Sequence, residues 1–151
     1  GRAVIMITLI DLKKAIITLL KTKYPNHNYY SIDKIESLER PAIITSVRPL
    51  EATHINYNTN KNLINVDILL FQDIISEEDC LIFVETIREL FGLDFACNDR
   101  RIKCTDYDYD FEGKNDNILQ VTITMEYYNK IREPETKPLI TNVECNFSNE
   151  N

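Results

Sequence analysis

Two stretches of the chain place apolar residues at helical spacing. In residues 8–24, Leu9, Leu12, Ile16, Leu19 and Leu20 repeat every three or four positions. Thr8 stands where a hydroxyl can cap free backbone N–H groups, and Asp11 falls in the first turn, where the helix dipole favours negative charge. Ile10, Ile17 and Tyr24 lie beside that row and widen the apolar arc to roughly half the circumference, with Lys13 interrupting it. A core that wraps around the helix accounts for the width, and so does a second face buried by a neighbouring subunit. Pro25 ends the helix. Residues 76–91 form the second helix. Ser76 caps it, Glu77, Glu78 and Asp79 fill its first turn, and Gly92 stops it. Its buried stripe is Cys80, Phe83, Val84, Ile87, Leu90 and Phe91, with Glu78, Glu85 and Glu89 on the opposite side.

Elsewhere the period is two. Residues 29–35 predict a short strand, and residues 42–47 a β-branched run that follows Arg40-Pro41. Residues 63–71 predict a strand with Ile64, Val66, Ile68 and Leu70 on one face and Asn65 and Asp67 on the other. Residues 102–111 and 118–128 predict a hairpin around residues 112–117. Residues 48–62 show no period and hold four asparagines, so they read as a long hairpin loop. Asn56, Tyr57, Asn58 and Asn60 make it a candidate partner-contact loop. The expected class is α+β: an antiparallel or mixed sheet of four to five strands with two helices packed on one face. Residues 1–5 read as a cloning leftover ahead of Met6, residues 6–129 as one domain, and residues 130–151 as a polar, partly extended tail carrying Leu139-Ile140.

Composition narrows the function classes. With 151 residues, 44% hydrophobic and 27% charged, the chain suits one globular domain. A formal charge of −7 opposes attraction to phosphate, so sequence-reading nucleic-acid binding is disfavoured. Cys80, Cys97, Cys104 and Cys145 form no Cys-x-x-Cys pair and read as small buried hydrophobes in a reducing compartment. His27 and His54 have no Cys or Glu at ligand spacing and read as surface imidazoles. Gly113-Lys114 lacks the rest of a phosphate loop, and no Gly-x-Ser-x-Gly elbow occurs. No stretch is long enough to cross a membrane. The expectation is a protein that is not an enzyme and needs no metal or cofactor.

Charge carries more information. Asp106-Tyr107-Asp108-Tyr109-Asp110-Phe111-Glu112 alternates acids with aromatics, so a strand puts the acids on one face and the rings on the other. As a calcium loop it fails, because Phe111 stands where the turn needs glycine and Asn117 where a bidentate glutamate is needed. The first helix carries Lys13, Lys14, Lys21 and Lys23 against Asp11, whereas residues 76–94 carry six acids against Arg88. Such a split favours head-to-tail contacts between identical copies. Lys13, Lys14, Ile17 and Lys21 on one side, and Glu78, Glu85 and Glu89 on the other, are the candidate subunit interface.

Several short runs, taken together in their order and spacing, resemble the tail terminator family of phages and phage-like particles of Gram-positive bacteria. They are Met6-Ile7-Thr8-Leu9-Ile10-Asp11-Leu12-Lys13-Lys14, Lys23-Tyr24-Pro25, Tyr30-Ser31-Ile32-Asp33, Glu39-Arg40-Pro41, Val66-Asp67-Ile68-Leu69-Leu70-Phe71, Asn98-Asp99-Arg100-Arg101-Ile102 and Glu126-Tyr127-Tyr128. The likeness spans residues 6 to about 144. It departs at Ser37, where the family has glycine, and at Ile43 and Ile44, where aromatics are common. The resemblance implies a homo-oligomeric ring, usually a hexamer, that caps the tail tube, ends its elongation and meets the neck or head-completion protein. It implies the sheath as a partner if the tail is contractile, DNA only as passing cargo, and no membrane. The site would be the virion or a bacteriocin-like particle, after assembly in the host cytoplasm. In such a ring Asp106, Asp108, Asp110 and Glu112 are candidates for an acidic lumen face. The alternatives are another neck or tail-completion protein, or a monomeric module that binds a peptide or ligand.

Overall fold

A computed structural model describes residues 6–114 and 117–130. The expected cloning leftover and all but the first residue of the expected tail lie outside the described residues.

Helix α1 spans Leu9–Lys21 and opens with a reciprocal cap. The Asp11 N–H donates to Thr8 Oγ1 at 3.0 Å, and the Thr8 N–H donates to the Asp11 carboxylate at 3.4 Å. The helix ends before Pro25. At Thr22 the N–H reaches the carbonyls of Leu19 and Leu20, and the hydroxyl donates to Leu19 O at 2.6 Å. Helix α2 spans Glu77–Phe91, with the Asp79 N–H donating to Ser76 Oγ at 3.2 Å. It stops at Gly92, whose φ of 56° suits a residue without a Cβ.

Six strands form one mixed sheet: β1 Asn28–Tyr30, β2 Ala42–Asn56, β3 Thr59–Phe71, β4 Asp94–Cys97, β5 Arg100–Glu112 and β6 Ile118–Lys130. Their order is β1-β2-β3-β6-β5-β4, with β1 parallel to β2 and every other pair antiparallel. The α+β class with both helices on one face stands, and the sheet has one strand more than the upper expectation. The extra strand is β4, four residues that fold back on β5 through Asn98, whose φ is 57°. The strand expected over residues 29–35 shortens to β1, because a 3₁₀ turn over Ile32–Lys34 follows it.

The long loop expected over residues 48–62 is instead a hairpin arm. β2 and β3 continue to a turn at Tyr57-Asn58, with register shifts between Pro49 and Glu51 and between His54 and Asn56. The side chains of residues 48–57 are exposed, so no apolar alternation marks the strand. Backbone pairing holds the arm: β3 stays in register with β6 out to Thr59 opposite Lys130. β1 covers only the start of β2, and β4 only the start of β5, so among the described residues both longer strands run on as open sheet edges.

The main core lies between sheet and helices. Leu12, Ile16 and Leu20 of α1 and Phe83, Ile87 and Phe91 of α2 pack on Ile43, Ile64, Val66, Ile68, Val121, Ile123 and Met125. Each such side chain contributes about 1.5–3 kcal/mol through removal from water. A second cluster of Ala42, Ile44, Leu69 and Phe71 covers one end of the opposite face. A register shift between Cys104 and Asp106 re-aims β5. Ile102 and Cys104 point into the core before it, Tyr107 packs against the core after it, and Asp106, Asp108, Asp110 and Glu112 are exposed.

Candidate functional site

The four lysine-side candidates sit on α1. Lys14 and Lys21 are exposed, while Lys13 and Ile17 are half-buried. Lys13 Nζ donates to Ser31 Oγ at 3.3 Å, and Lys21 Nζ lies 5.2 Å from the Tyr29 ring centroid. That ring is part of the core margin, and burial pushes the Tyr29 hydroxyl up to about 12. Glu78, Glu85 and Glu89 are exposed on the outward side of α2. The helices neighbour one another in a single layer, so the opposite charges lie on adjacent helices rather than on opposite sides of the molecule. Among the described residues no ion pair joins the two sets.

The structure exposes apolar residues among these charges: Ile82, which the helical period did not flag, and Ile10, which it placed in the widened apolar arc. Ile82 is 52% exposed in the midst of the α2 glutamates, and Ile10 is 68% exposed at the start of the α1 lysine row. Leu81, Ile74 and Ile75 are exposed nearby on or before α2. An apolar residue on the charged side of an amphipathic helix was the available signal.

Asn56, Tyr57, Asn58 and Asn60 gather at the tip of the β2–β3 arm rather than in a loose loop. Tyr57 is 91% exposed. The Asn58 N–H donates to Asn56 Oδ1 at 3.0 Å, a side-chain turn that stiffens the tip. The acidic ladder lies elsewhere. Asp106 is opposite Thr124 of β6 and Glu112 opposite Ile118, so the ladder approaches the end of β6 remote from the arm.

Between arm and ladder, the sheet face away from the helices is polar. Asp67, nearly buried, accepts from Arg48 Nε at 2.6 Å, Thr122 Oγ1 at 2.7 Å and Gln120 Nε2 at 3.3 Å. The hydrogen bond to Asp67 raises the Arg48 pKa. Lys61 Nζ meets Glu126 Oε2 at 2.7 Å, and that bond lowers the Glu126 pKa and raises that of Lys61.

Cavities are shallow surface grooves. One of about 580 Å³ runs between α1 and β4, lined by Lys14, Thr18, Leu90, Asp94, Phe95 and Arg101 among others. Among the described residues no group of three or more His, Cys, Asp or Glu side chains could hold a metal ion. His27 packs edge-on against Tyr24 with centroids 5.1 Å apart, and burial lowers its pKa. His54 is exposed on the arm. Cys80, Cys97 and Cys104 are buried free thiols whose pKa values burial raises, that of Cys104 to about 12. Cys145 lies outside the described residues.

The molecule is therefore an α+β domain distinguished by charged outer helix faces, an extended arm and a polar sheet face. Residues 11–138 match the phage tail terminator protein family, and the chain belongs to that family. Membership places it among structural tail components of the virion, with a role in ending the tail tube. No curated protein matches it in sequence. One chain of a solved structure is similar at a TM-score of 0.49 and 12% identity, covering 86% of this chain and 100% of its own length.

Proposed function

We propose that copies of this chain close into a ring, six in number as the resemblance implies, that sits on the end of the tail tube and stops further addition. The opposite side of the ring meets the neck or head-completion protein, and its rim meets the sheath in a contractile particle. One observation carries this reading: α1 presents lysines and α2 presents glutamates outward, without neutralising each other inside the chain. A subunit with two complementary surfaces binds its like head to tail, and such contacts close into a ring when the rotation between copies allows it. Lys13, Lys14, Ile17 and Lys21 then face Glu78, Glu85 and Glu89 of the next copy. The arm tip, with Asn56, Tyr57, Asn58 and Asn60, contacts the tube or the neck protein.

Asp106, Asp108, Asp110 and Glu112 face the lumen, where carboxylates repel phosphate and let DNA slide past. A ring structure with this ladder on the outer rim would refute that placement. Electron microscopy of particles assembled without the protein tests the whole reading. Tubes of uncontrolled length that fail to join a neck are expected; normal, fully joined tails would end it.

A further inference from the structure

The two charged helix faces match in register as well as in sign. Ile10, Lys14, Ile17 and Lys21 are spaced by four, three and four residues and form one stripe of α1. Glu78, Ile82, Glu85 and Glu89 have the same spacing on α2. Both stripes lie away from the buried rows, Leu12-Ile16-Leu20 and Cys80-Phe83-Ile87-Phe91. Set parallel, the stripes oppose Ile10 to Glu78, Lys14 to Ile82 and Ile17 to Glu85, which strands a charge against an apolar side chain three times. Set antiparallel, they oppose Lys14 to Glu85, Ile17 to Ile82 and Lys21 to Glu78, and strand one charge, Glu89, against Ile10.

We propose that α1 of one copy packs antiparallel against α2 of the next, with Ile17 on Ile82 at the centre and the Lys14–Glu85 and Lys21–Glu78 pairs on either side. This deepens the ring reading and rests on its premise that copies bind one another. Three observations carry it: Ile82 is an exposed apolar residue inside an acidic stripe, Ile17 holds the matching position between two lysines, and Lys14, Glu78 and Glu85 have no ion-pair partner in their own chain among the described residues. Partial drying by the isoleucine pair strengthens the flanking charge pairs beyond the worth of fully exposed ones. Lys13 lies at the margin of this seam, outside the stripe itself, with its ammonium on Ser31 Oγ.

The test uses the whole chain, free and added to tail tubes. K14E/K21E and E78K/E85K should each weaken self-association by roughly ten- to a hundredfold in sedimentation, with unchanged far-ultraviolet circular dichroism. Mixing the two variants, or combining all four changes in one chain, should restore it. An equimolar mixture of Ile17→Cys and Ile82→Cys chains, oxidised briefly, should give a covalent dimer that neither gives alone. If the wild type associates but the charge reversals leave association unchanged, or the combined variant is not restored, this register is overturned while the ring survives by another surface. If the wild type stays monomeric both free and on tubes, the ring reading falls with it.

Discussion

Asn129 of β6 holds the backbone of Ile7 from both sides: the Ile7 N–H donates to Asn129 Oδ1 at 2.9 Å, and Asn129 Nδ2 donates to Ile7 O at 3.1 Å. Both residues are buried and 122 positions apart in sequence. The clamp fixes where the chain enters α1, and so where the lysine stripe sits relative to the sheet. Asn129→Ala leaves a buried donor and acceptor without partners, which costs about 1–3 kcal/mol. The urea midpoint should fall with the slope unchanged. An unaltered midpoint would show that the clamp contributes nothing.

Asp67 is the hub of the polar sheet face. Asp67→Ala removes the acceptor shared by Arg48, Thr122 and Gln120, with an expected loss of about 1–3 kcal/mol. Asp67→Asn retains an acceptor for Thr122 and should lose less. A double-mutant cycle of Asp67→Ala with Arg48→Ala should show coupling, because the two side chains touch. Additive losses would dismiss the pair as energetically idle.

The Lys61–Glu126 pair sets a pH dependence. Its hydrogen bond holds the folded Glu126 carboxyl below the ordinary glutamate value of 4.5. A depressed carboxylate stabilises the fold at pH values above the unfolded pKa, and that contribution fades as pH falls through the folded pKa. Stability should therefore decline on acidification below about 4.5, and Glu126→Gln should flatten that part of the profile. Denaturation curves across the acid range check this, and an identical slope in the variant would sink it.

Thiol chemistry reports on the core. With Cys145→Ala removing the thiol outside the described residues, Cys80, Cys97 and Cys104 should resist a thiol reagent at pH 8. All three should react once the chain is unfolded in guanidinium, since burial holds their pKa values high. Rapid labelling of the native protein would place at least one of them in solvent.

The helices were legible because cap and stripe agree locally: Thr8 with Asp11, Ser76 with Asp79, and an apolar row behind each. The β5–β6 hairpin was legible because β6 alternates without a break from Leu119 to Tyr127. The arm was not. Glu51 to Tyr57 are exposed, so no core imposes a period of two, and the strand exists through backbone pairing that a single sequence does not display. β4 escaped because Phe95 and Cys97 alone are too few to mark an alternation. Of the candidate interface, the charges could be read from the chain, since they cluster by helix. The proposed pairing of Ile17 with Ile82 could not, because the 52% exposure of Ile82 among the glutamates appears only in the folded chain.

The open margins of the sheet have a consequence for the newly made polypeptide. Unclaimed strand backbone recruits stray strands and seeds aggregates. On β2 that hazard is blunted by Pro49, which lacks an N–H, and by the kinks on either side of residues 51–54. On β5 it is blunted by a carboxylate at every second position from Asp106 to Glu112. The same acids thus act as gatekeepers, setting like charge against any strand edge of acidic character that approaches β5.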